Sequence, residues 1–455
     1  MATDHITAAR EISQERTRLV RSGLRRRHRN EAIFRGLGIA AIALALGFVA
    51  LLFVDMTRKG IPAFVQSNLH LEVFFDPAII DVGPAPVASE FASPAQYQAA
   101  DLRWRRELAL LNWNRILEAS LMAKVPAGTE ISSRELLSIP ETNARHQLRE
   151  MFVANPDLLG RTVPVDILAS ANADNWVKGN INRSLGDAQQ QLSPAARTVI
   201  DAFEADGTIT NGFAWALFTN TDSRAAPASA GLLGAFVGSL YMMLIVIVLA
   251  VPIGVAAAIY LEEFAPKSRL TDFIEVNINN LAAVPSIVFG LLGAAVFINY
   301  MHLPISAPLV GGLVLTLMTL PTIIIATRGA LLGVSPALRQ AALGMGASKT
   351  QMVFHHVLPV TLPSILTATI LGVAHALGET APLLLIGMKA FVAQVPATPL
   401  DQATALPVQI YLWQGNENRN FFEPRTAAAI MVLLGVMIVL NGTAIYLRSR
   451  LEKRV

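Results

Sequence analysis

The sequence predicts an all-α polytopic membrane protein of six apolar helices, with a soluble domain of α or α+β type inserted after the first. Three observations lead there. Of the 455 residues, 53% are hydrophobic and only 15% charged, against about 25% charged in ordinary soluble domains. Six apolar runs of near span length stand at residues 33–54, 232–261, 281–300, 309–326, 362–388 and 426–446, and about 20 such residues cross the hydrocarbon layer. Between the first two runs lies a mixed stretch from residue 55 to about 224, with charges, prolines and tryptophans but no span-length run. A loop of that length folds by itself or stays disordered, and the charge-interrupted pattern of "DLRWRRELALLNWNRILEASLM" is helical and able to pack.

The elements follow in order. Residues 1–32 form a basic arm, including "RTRLVRSGLRRRHRN", expected on the cytoplasmic side by the positive-inside rule. The 33–54 run exceeds the roughly 7–15 apolar residues of a signal peptide and has no small-x-small site before Asp55, so a retained signal anchor is expected. Residues 55–230 are then assigned to a periplasmic inserted domain and 231–448 to a five-helix membrane core. The connection 301–308 carries no Lys or Arg and is expected outside. The loops holding Lys267 and Arg269, and Arg328, Arg339 and Lys349, are expected inside. The basic tail 449–455 is inside too, so both termini are expected in the cytoplasm.

Between the fourth and fifth runs, residues 335–359 read "SPALRQAALGMGASKTQMVFHHVLP". Ser335 with Pro336 forms an N-cap followed by proline at the first helical position. Gly344 and Gly346 supply a break, and Ser348 with Gln351 makes a capping box for a second short helix. Leu358 and Pro359 lead into the fifth span. The expectation is a compact hairpin of two short capped helices.

This hairpin resembles the cytoplasmic loop of ABC-importer permeases, whose pattern is Glu-Ala-Ala, three residues, Gly, nine residues, Ile-x-Leu-Pro. Here Gln340, Ala341 and Ala342 are followed by Gly346 and then by His356, Val357, Leu358 and Pro359 at the same spacing. Gln340 replaces the family's Glu and His356 its Ile. Short helices projecting from a bundle can sit in a surface groove of an ATPase subunit and move with it, so Gln340–Val357 is the expected coupling element, and this chain has no Walker-type Gly-x-x-x-x-Gly-Lys-Ser/Thr of its own. The resemblance therefore implies a transport subunit rather than an enzyme, with ATP and Mg bound by a partner ATPase and no cofactor in this chain.

Two further runs narrow the resemblance. "IYLEEFAPKSRLTDFIEVNINNLAAVPSIVFGLLG" (259–293) and "ALGETAPLLLIG" (376–387) look like the phosphate-specific permeases of PstA type. The resemblance covers about 231–455 and the first span by position, leaving the inserted domain without a counterpart in the short form. It implies the MetI-like fold of type I ABC importers in the bacterial inner membrane. The implied partners are a second permease of PstC type as heterodimer, two ATPase subunits and a periplasmic phosphate-binding protein. By their residues, Glu262 and Glu263 end the second span and Pro266 stops it. Leu270, Phe273, Ile274 and Ile278 form one apolar face of an interfacial helix. Pro285 and Ser286 then place a freed carbonyl and a hydroxyl in the bundle, or mark a tolerated kink.

Within the fifth run Glu379 is the single carboxylate, four residues after His375, with Thr380 beside it. A charge at bilayer centre costs on the order of 3 kcal/mol or more. On a continuous helix His375 and Glu379 share a face. Three roles are open to Glu379: pairing with a cation, standing protonated by burial, or accepting a hydrogen bond from a phosphate hydroxyl. The family commonly has arginine in place of His375, so the cation here is either pH-dependent or supplied by the partner subunit. Ser286, His375, Glu379 and Thr380 are the expected substrate-path residues, with interhelical packing as the alternative for the His375–Glu379 pair.

Other chemistries find little support. The chain has no cysteine, and its eight histidines lack metal-ligand spacing. A net charge of +3 gives no reason to expect a nucleic-acid partner. Competing readings are an ABC permease for another oxyanion such as molybdate or phosphonate, an ion-gradient-driven transporter relaying protons through His375 and Glu379, and a receptor sensing with its outer domain.

Overall fold

The computed structural model describes residues 2–184, 186–389 and 392–452. Lys453 and Arg454 of the expected basic tail lie outside the described residues. The chain divides after Arg58 into two compact units. The first consists of one helix, Ala2–Gly60, whose last two residues belong to the second unit and which runs through the basic arm and the 33–54 span without a break. The arm and the span, expected as separate segments, are one element because no proline occurs before Pro62 to interrupt them.

The second unit begins with a globular α+β domain. Its centre is β1 (Val65–Phe74), flanked by β2 (Thr162–Leu168) and β3 (Ile209–Phe213), both antiparallel to it, in the order β2-β1-β3. Alternation sorts the strand residues: Leu69, Leu71 and Val73 are buried, whereas His70, Glu72 and Phe74 face out. The register places Leu71 opposite Val165 and Leu69 opposite both Ile167 and Ile209, so the three strands present one apolar face. Helices Trp113–Met122, Ala144–Ala154 and Pro194–Ala205 cover that face with Ile116, Leu121, Leu148, Ile200 and Phe203. Phe152 lies against the rings of Phe75, Trp104 and Trp113 at 6.0–6.3 Å. The α or α+β alternative is thus resolved by a three-stranded sheet whose strands lie far apart in sequence.

Among the described residues, five helices are long and apolar enough to cross a membrane, and a bent pair makes a sixth if taken as one span. Leu233–Ile259 and Pro308–Leu332 pack along their length, Leu358–Gly378 packs against both, and Arg419–Glu452 packs against Leu358–Gly378. Met242, Val246, Val314, Leu315, Ile323 and Val373 fill the shared core. Small residues set the crossings: a Cβ on Gly254 would meet Ile323 at 2.8 Å, and one on Gly312 would meet Ile245 at 2.7 Å.

Two expected spans are not continuous. The 281–300 run is split, because Arg269–Ala282 and Ser286–Tyr300 meet at 101°. Leu281 belongs to the first of these, and Pro285 caps the second. Proline disfavours helical backbone in the residue before it, which ends the first helix. The 362–388 run breaks after Gly378, with Glu379 extended (φ −72°, ψ 131°) and a short helix Ala381–Leu385 following. Pro382 at the start of that short helix lacks the N–H that would bond back to Gly378.

Candidate functional site

The 335–359 segment builds much as its caps dictate. Ser335 accepts from the Ala337 N–H, and Ser348 with Gln351 forms the reciprocal capping box. Gly346 has φ +88°, the left-handed conformation that favours glycine. One expectation fails. Lys349–Met352 continues through a wider π turn, Val353–Val357, into Leu358–Gly378, so Leu358 and Pro359 sit inside one long helix. Proline is tolerated there because the π turn already displaces the hydrogen-bond ladder. The hairpin is therefore one free helix, Pro336–Gly344, folded back onto the end of a span.

Its inner side is fixed. Ala342 joins Ile259, Leu331, Val334, Met352, Val353 and Val357 in a small apolar core. Arg339 donates to the Glu263 carboxylate at 2.8 and 3.1 Å and to the carbonyls of Leu331 and Val334 at 2.8 and 2.7 Å. Glu263 is only 8% exposed, so this forked pair joins the hairpin to the end of the Leu233–Ile259 helix. Beside it Arg328 holds Glu275 at 2.7 Å and Glu262 at 3.4 Å, tying the Arg269–Ala282 helix to the same place. The sequence showed the two glutamates ending the span; their arginine partners lie 66 and 76 residues further on and carried no local signal. The outer side presents Gln340, Ala341, Leu343, Gly344, Met345 and Gly346, all exposed.

The second constellation lies at the break. His375 Nε2 is 3.3 Å from Glu379 Oε1, but the two do not share a continuous helix. Glu379 is the residue on which the helix ends, and Thr380 starts the next turn. The His375 side chain is 65% exposed and that of Glu379 18%, so the carboxylate is tucked in while the imidazole faces off the chain. Gly372 rests against Thr319 and Ile323, near the middle of Pro308–Leu332. Glu379 lies seven residues beyond, about 10 Å nearer the end carrying the globular domain. The Ser286–Gly293 helix crosses in backbone contact: a Cβ on Gly290 would be 2.7 Å from Pro382 Cα, and one on Gly293 would approach Ile386 Cγ2 at 3.6 Å. Ser286 is the first residue of that helix, one turn before Gly290. Broken helices of this kind occur where irregular backbone lines a cavity or packs within protein. A groove of about 570 Å³, walled by Val251, Phe264, Phe354 and Leu362, is apolar and offers no cation for an anion.

A third cluster was missed by sequence reasoning. Arg425, 3% exposed, leaves the Arg419–Glu452 helix and donates to the carbonyls of Ala228 (2.8 Å), Pro227 (3.2 Å) and Ala230. Its guanidinium stacks on Phe421 at 4.5 Å. From the domain side, Glu141 accepts the Ala228 N–H at 2.7 Å and Gln66 donates to the Ala228 carbonyl. Burial pushes the Glu141 carboxyl up from its ordinary range, against the Thr142 and Ala228 N–H groups and Arg425, which favour its charge. Asp174 accepts from Ser67 N–H and pairs with Lys178 at 2.6 Å, and burial pulls the Lys178 ammonium down. The single sequence hint was a lone arginine directly before the apolar run 426–446.

Residues 250–454 match the family model described as binding-protein-dependent transport system inner membrane component. Residues 21–187 match a model described as Domain of unknown function (DUF3333), whose limit falls inside the globular domain, before β3. The phosphate transport system permease protein PstA of Yersinia pestis is 31% identical over 231 residues, 50% of this chain and 76% of that protein. PstA of Mycobacterium leprae (strain TN) is 32% identical over 219 residues, 47% of this chain and 70% of its own length. A probable ABC transporter permease protein, YqgI of Bacillus subtilis (strain 168), is 34% identical over 168 residues; the chain spans 56% of it, matched by 37% of this sequence. Among solved structures, a chain of the MetNI methionine ABC transporter in an inward-facing conformation is 18% identical, with 47% of this chain and 94% of that one covered and a TM-score of 0.36.

Proposed function

The chain belongs to the PstA-type family of binding-protein-dependent transport permeases, and on that premise we propose that it is the membrane permease subunit of an ATP-driven importer of inorganic phosphate. The observation that carries the transport reading is the hairpin. A small-residue surface of Gln340, Ala341 and Gly346 stands free at one end of the bundle, while the Arg339–Glu263 pair fixes its other side. A force applied to that surface by an ATPase subunit passes directly into the Leu233–Ile259 and Lys349–Gly378 helices. Phosphate as cargo is supported by the likeness to the phosphate transport system permeases PstA.

In this reading, a PstC-type permease completes a path past Ser286, His375, Glu379 and Thr380, two ATPase subunits bind ATP and Mg, and a periplasmic phosphate-binding protein delivers the anion. The hairpin end is then cytoplasmic, as are both termini, and the globular domain is periplasmic. Glu379 beside His375 is suited to accept from a phosphate hydroxyl, a bond that fully deprotonated sulfate lacks. The His375 face turned off the chain is where a second permease would close the path.

The test is phosphate uptake by proteoliposomes containing the four-component complex. ATP-dependent uptake unaffected by collapse of the proton gradient is expected, with Glu379→Gln lowering the rate about tenfold or more at equal abundance. Uptake that survives ATP removal and follows the proton gradient would establish a gradient-driven transporter instead. Competition by molybdate or phosphonate as strong as by phosphate would reassign the cargo, and a Glu379→Gln rate equal to wild type would leave the pair a packing role.

A further inference from the structure

The globular domain exposes an apolar cluster beside the point where the chain passes from span to sheet. Val65 and Phe213 are cross-strand partners at the end of the sheet. The Phe213 ring meets Trp215 edge-on at 4.8 Å and lies flat against Phe218 at 5.9 Å, and Phe218 stacks on Phe64 at 6.0 Å. Ile61 is 54% exposed, Val65 39%, Phe213 49% and Trp215 68%. A contiguous patch of this kind marks a contact surface.

Its level relative to the spans is given by the neighbouring chain. Lys59 pairs with Glu423 at 3.3 Å, and Gly60 lies so close to the Arg419–Glu452 helix that a Cβ would meet Ala427 C at 3.2 Å and Ala428 N at 3.2 Å. Ile61–Phe64 follows directly, and the Phe64 carbonyl accepts the Ala214 N–H at 2.8 Å, which ties Phe213 and Trp215 to the same height. That height is where Arg419, Glu423 and Arg425 give way to the apolar run 426–446. It is therefore the boundary between water and hydrocarbon, the layer in which aromatic rings are most favourable.

We propose that the Phe213–Trp215 edge of the globular domain rests in the phospholipid headgroup layer, so that the bilayer surface is the partner of this patch. The domain is then held at two points, by the buried Arg425 junction and by an aromatic foot in the lipid. This holds whichever anion is carried.

Intrinsic fluorescence tests it. Of the five tryptophans, Trp104, Trp113, Trp176 and Trp413 are 2–7% exposed, and Trp215 alone is open. The full chain is placed in nanodiscs of ordinary or acyl-brominated phosphatidylcholine, and the emission of Trp215→Phe is subtracted from wild type to isolate Trp215. The expected result is at least a twofold loss of the Trp215 component in brominated lipid, with aqueous acrylamide quenching it several-fold less than free indole. Indifference to bromine together with full acrylamide quenching overturns the proposal. Protection that arises only on adding a soluble binding protein overturns it as well, and makes the patch a protein dock.

Discussion

Replacing Arg425 by methionine removes the junction's central cation while keeping its aliphatic bulk. The guanidinium holds three carbonyls, of Pro227, Ala228 and Ala230, and faces the carboxylates of Asp174, Glu141 and Asp222. Hydrogen bonds from a charged donor are worth about 1.5–3 kcal/mol each, but they share one side chain and do not add. Breaking a buried ionic cluster by removing one partner costs about 3–5 kcal/mol, and that range is the better guide. At about 1.4 kcal/mol per decade, local opening of the 226–232 segment should increase by on the order of 10²–10⁴-fold. Amide hydrogen exchange reads this directly, because the Ala228 N–H is held by Glu141 within the junction. The Ile116 and Leu148 region of the domain core serves as internal reference and should be unchanged. Arg425→Lys should fall between, since one ammonium cannot fork across three carbonyls. Exchange at 226–232 within threefold of wild type in Arg425→Met would refute the view that this residue locks domain to membrane core.

Three other outcomes follow from the geometry. Arg339→Met leaves the 8% exposed Glu263 without its cation; the Pro336–Gly344 helix should loosen by about 3–5 kcal/mol, seen as rapid proteolysis near Met345 and as loss of ATP-driven uptake. Gly346→Ala adds a Cβ that meets nothing within 4 Å but must adopt φ +88°, so it should cost about 1–2 kcal/mol of hairpin stability through the backbone alone, measured by hydrogen exchange at 344–348. The raised Glu141 carboxyl gives a signed pH dependence. Its folded state holds the proton more tightly than the unfolded state, so its contribution is fully present below about pH 4.3 and is lost as pH rises through the raised value. Thermal unfolding across that interval should show the decline in wild type and lose it in Glu141→Gln.

Local signals were readable wherever one residue decides one backbone group. The Ser335 cap, the Ser348–Gln351 box and the Gly346 turn appear where the sequence places them, because each partner lies within three residues. Proline effects were harder to place. Pro285 and Pro382 sit in runs that read as uninterrupted by composition, yet the helices end just before them. A hydropathy average counts apolar side chains and is blind to a missing N–H. The spacing of four placed His375 and Glu379 on one helical face and left their pairing as one of three options; the two lie 3.3 Å apart although the helix stops between them.

By itself, the sequence determined the membrane class, the number of apolar runs, the hairpin with its caps and turn, and the family, since all of these rest on composition or on patterns within some twenty residues. Tertiary structure alone decided which charges neutralise which. Glu263 with Arg339, Glu262 and Glu275 with Arg328, and Arg425 with the 227–230 turn are separated by 53 to 198 residues. A charge at the edge of a low-dielectric layer must find an opposite charge or a set of carbonyls. Which partner it finds depends on how the helices cross, and those crossings are set by packing at glycines such as Gly254, Gly290 and Gly312 rather than by any local motif.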